Sequence, residues 1–226
     1  MREKARWTAF GRSKNPWKEV GVVKRKWIAL LCALCLLPLP VQAVETSYPD
    51  IAGDEWFVEA VEAMTEEGIM TGLEGGIFGP YEPVTRATVL TVIWRLEGSP
   101  VMSVEEPFPD AEEDWYAAPA AWAKGTGIAT GYADGTFGGR DLVTREQLAC
   151  FLYRYAQYKG EPLATGALGL FKDADSISKW AEEAVRHAAG MGVLQGNDQG
   201  MLDPQGIANR AALAIMLQRM RTPAVG

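Results

Sequence analysis

Three arginines occupy equivalent places in the sequence, each directly after a short polar residue at the predicted start of a helix. They lie in the segments VTRAT, VTREQ and ANRAA, as Arg86, Arg145 and Arg210. The N-terminus of a helix is positively polarised, so a cation there opposes stability by a few tenths to about 1 kcal/mol. Free N–H groups beside a guanidinium suit a carboxylate or a phosphate. The triplicate arginine therefore favours anion recognition.

A structural role for these arginines is the alternative interpretation. Each could pair with a nearby aspartate and tie neighbouring segments together, and the candidate partners are Asp50, Asp110 and Asp173. The sequence by itself leaves both interpretations open.

The arginines belong to a repeated unit with fixed internal spacing. Each unit opens on an aromatic-x-Asp triplet and continues to a tryptophan: Trp56, Trp115 or Trp180. Glycines follow at +12 and +16 from that tryptophan, an apolar residue at +22 and the arginine at +30, in all three copies. Three copies without insertions over thirty residues predict a rigid supersecondary element whose variable parts are surface loops.

The first half of each unit is predicted to be an amphipathic helix. WFVEAVEAMTEEG places Trp56, Ala60 and Met64 on one apolar stripe, and Gly68 is expected as its C-cap. In the second copy Pro119 predicts a late helix start, near Ala118.

The second half of each unit is predicted to be a helix that begins at the arginine motif. Thr85, Thr144 and Asn209 are the expected N-caps, and Thr144 with Gln147 fits a capping box. In the first copy the apolar face consists of Val89, Leu90, Ile93 and Trp94. A glycine-rich loop such as GYADGTFGGRD joins the two helices.

Residues 23–43 have the pattern of a signal peptide. Lys24 to Lys26 precede the apolar stretch WIALLCALCLLPLP, and VQA ends at Ala43 as a cleavage site. The apolar core from Trp27 to Leu37 is shorter than the roughly 20 residues of a membrane-spanning helix. Residues 1–22 are interpreted as a misassigned extension, since Lys18-Glu19-Val20 can be encoded by AAG-GAG-GTN, a ribosome-binding sequence.

Removing the leader leaves a strongly acidic chain. Residues 1–43 hold nine of the 22 Lys/Arg and two of the 29 Asp/Glu, so the remainder carries a net charge of −14. Nucleic acid is therefore not an expected partner. Cys150 is the one cysteine outside the leader, which excludes a disulfide framework and favours a buried structural thiol.

Catalytic and cofactor chemistry has little support in the sequence. The single histidine, His187, lies in a helical stretch without a nucleophile motif, and the Cys and His counts exclude common zinc sites. No calcium-loop or phosphate-loop pattern occurs, so no metal and no cofactor is expected. The acidic run around Glu112, Glu113 and Asp114 leaves one alternative, a small polysaccharide hydrolase with paired carboxylates.

The ordered motifs resemble the S-layer homology (SLH) domain, whose second helix begins Thr-Arg-Ala-Glu. Three tandem copies cover residues 48–98, 108–160 and 171–221, called repeats 1, 2 and 3 below. The resemblance implies an all-α fold in which three helix-loop-helix repeats form a pseudo-threefold, three-pronged spindle around a central helix bundle.

The resemblance also implies a function. The chain is expected to be a secreted, monomeric, non-catalytic anchor at the cell wall, where it binds anionic, pyruvylated secondary cell-wall polysaccharide beside S-layer or other surface proteins. The implied ligand-binding residues are Arg86, Arg145, Arg210, Asp50, Asp110, Asp173, Trp56, Trp115, Trp180, Thr85 and Thr144. A tryptophan at helical spacing is more often a core residue, so the three tryptophans are interpreted as mainly structural.

The repeats depart from the signature at its last position. The glutamate is replaced by Thr88, Gln147 and Ala212, and repeat 3 also has Asn209 in place of threonine. The pocket of Arg210 is therefore the weakest of the three, and repeat 3 is expected to serve folding above all.

Overall fold

The computed structural model describes residues 47–111 and 115–222. The predicted leader and the acidic triplet Glu112, Glu113 and Asp114 lie outside the described residues. Within those residues the fold is helical, with isolated bridges and no strand, which confirms the all-α prediction. The helices are α1 (Val58–Glu66), α2 (Arg86–Leu96), α3 (Ala117–Gly125), α4 (Arg145–Lys159), α5 (Glu182–Gly190) and α6 (Arg210–Arg221), with 3-10 turns at Leu168–Leu170 and Ala174–Ser176.

The first helix of each repeat begins two residues after its tryptophan. In α1, Phe57 is the N-cap, and the helix buries Val58, Val61 and Met64. Trp56 therefore precedes the helix and does not share its apolar stripe, so that prediction was wrong. Gly68 has a φ of +70°, the left-handed conformation expected of a residue that ends a helix.

The start of α3 is not delayed by its proline. It begins at Ala117, at the same place relative to the tryptophan as α1 and α5, and Pro119 lies in its first turn. Proline is tolerated there because N–H groups of the first turn have no partner within the helix.

The second helices begin where the motif predicts. The side chains of Thr85, Thr144 and Asn209 accept hydrogen bonds from the N–H groups of Thr88, Gln147 and Ala212. The capping box of Thr144 and Gln147 is complete in both directions. Asn209 thus caps α6 as the threonines cap the other two helices.

Helices of different repeats pack against one another in a closed cycle. α2 packs on α3, α4 packs on α5, and α6 returns to α1. Each first helix is therefore covered by the second helix of the preceding repeat, and no repeat buries its apolar face alone. This agrees with the size of the units, since about fifty residues seldom form a sufficient core.

A ring of three backbone hydrogen bonds joins the repeats just before their second helices. The N–H of Val84 donates to the carbonyl of Ala208 at 3.0 Å, that of Ala208 to Val143 at 2.8 Å, and that of Val143 to Val84 at 3.1 Å. All three residues are at most 1% exposed. These closed cycles support the pseudo-threefold spindle, which itself stays a prediction.

Candidate functional site

The opening aspartates hold the loop of their own repeat. Asp50 accepts the N–H groups of Phe78 and Gly79 at 2.9 and 2.7 Å. Asp110 binds Phe137 and Gly138 in the same way, and Asp173 binds Leu202 and Asp203. Burial would raise the pKa of Asp50, but the two N–H groups outweigh it and hold that pKa below its ordinary value.

The motif arginines bind the same loops from the preceding repeat. Nε of Arg86 donates to the carbonyl of Phe137 at 2.8 Å and that of Arg145 to Leu202 at 2.8 Å. Nε of Arg210 closes the cycle on Phe78 at 2.7 Å. One loop residue is thus fixed through its N–H by an aspartate and through its carbonyl by an arginine.

The ion pairs of the alternative interpretation, between these arginines and the opening aspartates, are not formed. The salt bridges within the described residues involve other partners, such as Lys159 with Glu97 and Arg221 with Glu67. The motif arginines do tie the repeats together, but through backbone carbonyls, because the aspartate oxygens already accept from the loop N–H groups.

The N–H groups at the starts of the second helices are also occupied. Those of Arg86 and Ala87 donate to Asp141 and Gly139 of repeat 2, at 3.0 and 2.9 Å. α4 makes the equivalent bonds to Gly206 and Pro204, and α6 to Glu82 and Pro80. The expectation of free helix N–H groups for an anion was therefore wrong.

An open cavity of about 650 Å3, the large cavity, lies where all three repeats meet. Arg145 of repeat 2 and Trp56 of repeat 1 line it, and repeat 3 supplies the remaining walls. The wall residues are Val193, Leu194, Gln195, Gly196, Asn197, Asp198, Gln199, Met201, Leu202, Asp203, Ile207, Asn209, Ala212, Ile215, Met216 and Arg219.

A second cavity of about 230 Å3, the small cavity, has the same plan one repeat earlier. Arg86 comes from repeat 1, Trp180 from repeat 3, and the walls from repeat 2. The wall residues are Thr130, Gly131, Tyr132, Gln147, Cys150, Phe151 and Arg154, each equivalent to a residue of the large cavity.

Each cavity contains a second arginine that the sequence interpretation missed. Arg154 lies in α4 and Arg219 in α6, each about two and a half turns after the arginine that begins its helix. No salt bridge within the described residues engages either one. Burial and, next, the positive charge of Arg145 lower the pKa of Arg219. The missed signal was an arginine nine residues after each motif arginine, at Arg95, Arg154 and Arg219.

Two arginines of like charge line the same open space in each cavity, a chemistry that suits an anionic ligand. Two guanidinium groups that face one space repel each other, and an anion between them relieves that repulsion and accepts hydrogen bonds in bidentate geometry. In the large cavity Asp203 offsets part of the charge of Arg145, which leaves Arg219 as the cation without a carboxylate partner among the described residues.

The three tryptophans are exposed, contrary to their interpretation as mainly structural. Trp56, Trp115 and Trp180 are 67%, 62% and 61% exposed. Trp56 rests edge-on against the buried ring of Phe57, with centroids 5.4 Å apart. The spacing of apolar residues suggested that each tryptophan belongs to the helix, but each one precedes the first helical residue by two positions.

Arg210 uses its guanidinium differently from Arg145. Besides its bond to Phe78, Arg210 donates Nη2 to the carbonyl of Thr71 at 2.6 Å, whereas the equivalent bond of Arg145 to Gln195 is longer, 3.4 Å. Nε and Nη2 of Arg210 are therefore both engaged with repeat 1.

Cys150 and His187 have surroundings that suppress their reactivity. Burial raises the pKa of the Cys150 thiol to about 11, and the thiol is half-buried in the wall of the small cavity. His187 is buried and its Nδ1 accepts the N–H of Ala164 at 3.0 Å. Within residues 47–111 and 115–222 no cluster of metal-binding side chains occurs, and no helix has the length and apolarity to cross a membrane.

Comparison with known proteins matches the same three segments. The sequence model of the S-layer homology domain matches residues 47–90, 107–149 and 170–214. An endoglucanase of Bacillus sp. (strain KSM-635) is 27% identical over 76% of the chain, and exoglucanase XynX of Acetivibrio thermocellus is 30% identical over 80%. An S-layer protein of Bacillus thuringiensis subsp. finitimus is 26% identical over 77%. The chain covers only 18%, 17% and 21% of these three relatives.

Proposed function

The chain belongs to the S-layer homology domain family, and from this premise we propose that it is a non-catalytic module that attaches to anionic cell-wall polysaccharide at the cell surface. The polymer proposed is pyruvylated secondary cell-wall polysaccharide, whose pyruvyl ketals supply carboxylates. The chain would hold S-layer proteins or other surface proteins at the wall, or act there by itself.

One observation carries the proposal: the same combination of an arginine pair and an exposed tryptophan surrounds two open cavities. A pyruvyl carboxylate would lie between Arg145 and Arg219 in the large cavity, and between Arg86 and Arg154 in the small one. The C–H face of the sugar ring would pack on the exposed indole of Trp56 or Trp180.

The other predicted site residues have a supporting role in this proposal. The aspartates and the N-cap residues Thr85 and Thr144 engage backbone groups, so they hold the frame within which the arginines face the ligand. Arg86 and Arg145 combine both roles, because Nε binds a carbonyl while the rest of the guanidinium lines a cavity.

The relatives support a shared binding role and argue against a shared reaction. The matched stretch is common to proteins named as glucanases and to an S-layer protein, yet it is less than a quarter of each. A segment found in both kinds of protein supplies what they have in common, which for these proteins would be attachment to the cell surface.

Two cavities on one compact unit suit a repetitive polymer. When one cavity binds a repeat of the chain, the second meets a high local concentration of the next, so weak individual contacts add up to firm attachment.

Calorimetric titration with purified wall polymer, native and after removal of its pyruvyl groups, tests the proposal. Arg154→Ala and Arg219→Ala are the informative variants, since neither arginine donates to a loop carbonyl within the part of the chain that the structure describes. Arg221→Ala is the matched control, because it removes the same charge from α6 outside the cavity. We expect pyruvate-dependent binding that weakens about tenfold or more in each cavity variant and is lost in the double variant. Unchanged binding in the double variant would refute the proposal.

A further inference from the structure

The ring of Tyr132 covers the motif arginine of the small cavity. The guanidinium carbon of Arg86 lies 4.6 Å from the centroid of that ring, and Arg86 is only 7% exposed. The hydroxyl of Tyr132 donates to Oδ2 of Asp141 at 2.9 Å, which fixes the outer end of the ring. A carboxylate that binds the guanidinium of Arg86 must therefore compete with Tyr132.

Tyr132 differs from the other two rings around Arg86 in its freedom to move. Phe137 and Phe151 are 0% and 3% exposed and belong to the core. Tyr132 is 41% exposed, and side chains at the surface change rotamer within nanoseconds. It can thus leave Arg86 at the cost of one exposed hydrogen bond and one cation–π contact, without opening the core.

Gly138 provides the space for the closed position of this ring. A Cβ at Gly138 would clash with Cε2 of Tyr132 and with Oδ2 of Asp141. Repeat 3 exchanges the two residue types, with Asp203 in place of Gly138 and Gly206 in place of Asp141. Of the two cavities, the small one alone combines the space for a ring with an acceptor at the outer end of that ring.

The large cavity leaves its motif arginine less covered. Asn197 stands in place of Tyr132, and its Oδ1 accepts the N–H groups of Gln199 and Met201 at 3.1 and 3.0 Å. The side chain of Asn197 is therefore bound to its own loop. Arg145 has no cation–π contact among the described residues and is more exposed than Arg86.

We propose that Tyr132 is a gate of the small cavity, which the bond to Asp141 holds closed over Arg86 and which must move away before an anionic group can bind there. The apparent affinity of a gated site is its intrinsic affinity multiplied by the fraction of open molecules. The large cavity, without such a ring over Arg145, binds the same group first. This inference rests on the proposed function, because it concerns how the same ligand enters one of the two cavities.

The first test measures the affinity of the small cavity by calorimetry, in an Arg219→Ala background that silences the large one. The probe is the methyl glycoside of a 4,6-pyruvylated hexosamine. Tyr132→Phe removes the bond to Asp141 but keeps the ring and the carboxylate, and Tyr132→Asn introduces the residue of repeat 3. Tyr158→Phe, at an exposed tyrosine of α4 outside both cavities, is the matched control.

We expect the probe to bind about threefold more tightly in Tyr132→Phe and about tenfold more tightly in Tyr132→Asn, and equally well in Tyr158→Phe. The direction of the change is decisive, since a ring that merely contacts the ligand would give weaker binding when it is removed. Unchanged or weaker binding in Tyr132→Asn would overturn the gate. The same substitutions in an Arg154→Ala background, where only the large cavity binds, should have no effect.

A second test needs no glycan. Phenylglyoxal modifies accessible arginines, and mass spectrometry gives the rate for each peptide. We expect Arg86 to react about threefold faster or more in both Tyr132 variants, while Arg186, a half-exposed arginine of α5, reacts at an unchanged rate. An unchanged rate at Arg86 would overturn the gate. If that rate rises as expected but the unsubstituted protein binds neither the probe nor the wall polymer, the movement of Tyr132 is established and the proposed function fails.

Discussion

The two cavities are lined by equivalent positions of the repeats but by different side chains. In the small cavity the guanidinium of Arg86 lies 4.6 Å from the ring centroid of Tyr132, 5.1 Å from Phe137 and 5.2 Å from Phe151. In the large cavity the equivalent residues are Asn197, Leu202 and Met216. Rings that enclose the arginine account for the smaller volume, so the wall residues set how much space each cavity offers.

The largest expected effect is on the stability that each motif arginine provides. Arg86 is 7% exposed and bound both by a carbonyl and by three rings, so Arg86→Ala should lower the free energy of unfolding by about 3 kcal/mol. Arg145 is less buried and has no ring contact of this kind among the described residues, so Arg145→Ala should remove about 1.5 kcal/mol.

Urea unfolding of both variants measures this difference. Lysine at either position is the control, because it keeps the charge but not the planar fork that reaches the carbonyl. Equal losses for the two alanine variants would show that the rings around Arg86 add nothing to the frame.

The second difference between the cavities is how their tryptophans are held. Glu146, only 1% exposed, accepts the N–H and hydroxyl of Ser178 at 3.0 and 2.8 Å, and Ser178 stands two residues before Trp180. The position equivalent to Glu146 in repeat 3 is Ala211, so no such carboxylate holds Trp56.

Glu146→Ala should therefore affect the small cavity and spare the large one. It leaves the half-buried N–H and hydroxyl of Ser178 without their acceptor, so we expect a loss of about 1 kcal/mol in stability and weaker binding at the small cavity in an Arg219→Ala background. Glu59→Ala, which removes an exposed glutamate of α1, is the control. Equal weakening of the large cavity, measured in an Arg154→Ala background, would contradict this assignment.

The sequence predicted those features of the fold that depend on residues close together along the chain. The N-caps Thr85, Thr144 and Asn209 act within four residues, and their patterns located the second helices. The bond from Arg210 to Phe78 spans 132 residues, and spacing within one repeat could not show that it crosses to another. For the same reason the sequence did not indicate that Arg219 lines a cavity together with Arg145 of another repeat.

The third difference is a buried side chain of the first helix in repeats 2 and 3. His187 of repeat 3 occupies the position of Trp122 in repeat 2, and its neutral imidazole accepts the N–H of Ala164 in the linker. Burial lowers the pKa of His187, against the opposing effects of that bond and of the carboxylate of Glu161. Tyr153 also faces the imidazole, and its hydroxyl donates to Glu183.

Acid should therefore weaken the side of the molecule that carries the large cavity. Because the pKa of His187 is lower in the folded state than its ordinary value of about 6.5, the unfolded chain binds more protons below that pH. The stability present above pH 6.5 is then lost as the pH falls toward 5, by about 1 kcal/mol or less.

Chemical unfolding at pH 7.5 and pH 5.5 measures this loss. His187→Asn keeps an acceptor and does not titrate, so it should flatten the difference between the two pH values. The protein has no other histidine, which makes this comparison direct. A loss of the same size in the asparagine variant would assign the acid sensitivity to carboxylates.

The smallest expected effect concerns Cys150, a side chain that lines only the small cavity. Cys150 lines this cavity where Ile215 lines the large one, and its thiol, with a pKa raised to about 11, stays protonated at pH 8. Alkylation of the Cys150 peptide, followed by mass spectrometry, should be on the order of a hundredfold slower in the folded protein than in guanidinium chloride. A pyruvylated glycan should slow it further in the unsubstituted protein and in Arg219→Ala, but not in Arg154→Ala. Because the thiol reports on one cavity alone, equal protection in Arg154→Ala would mean that the glycan binds elsewhere and that the small cavity is not a binding site.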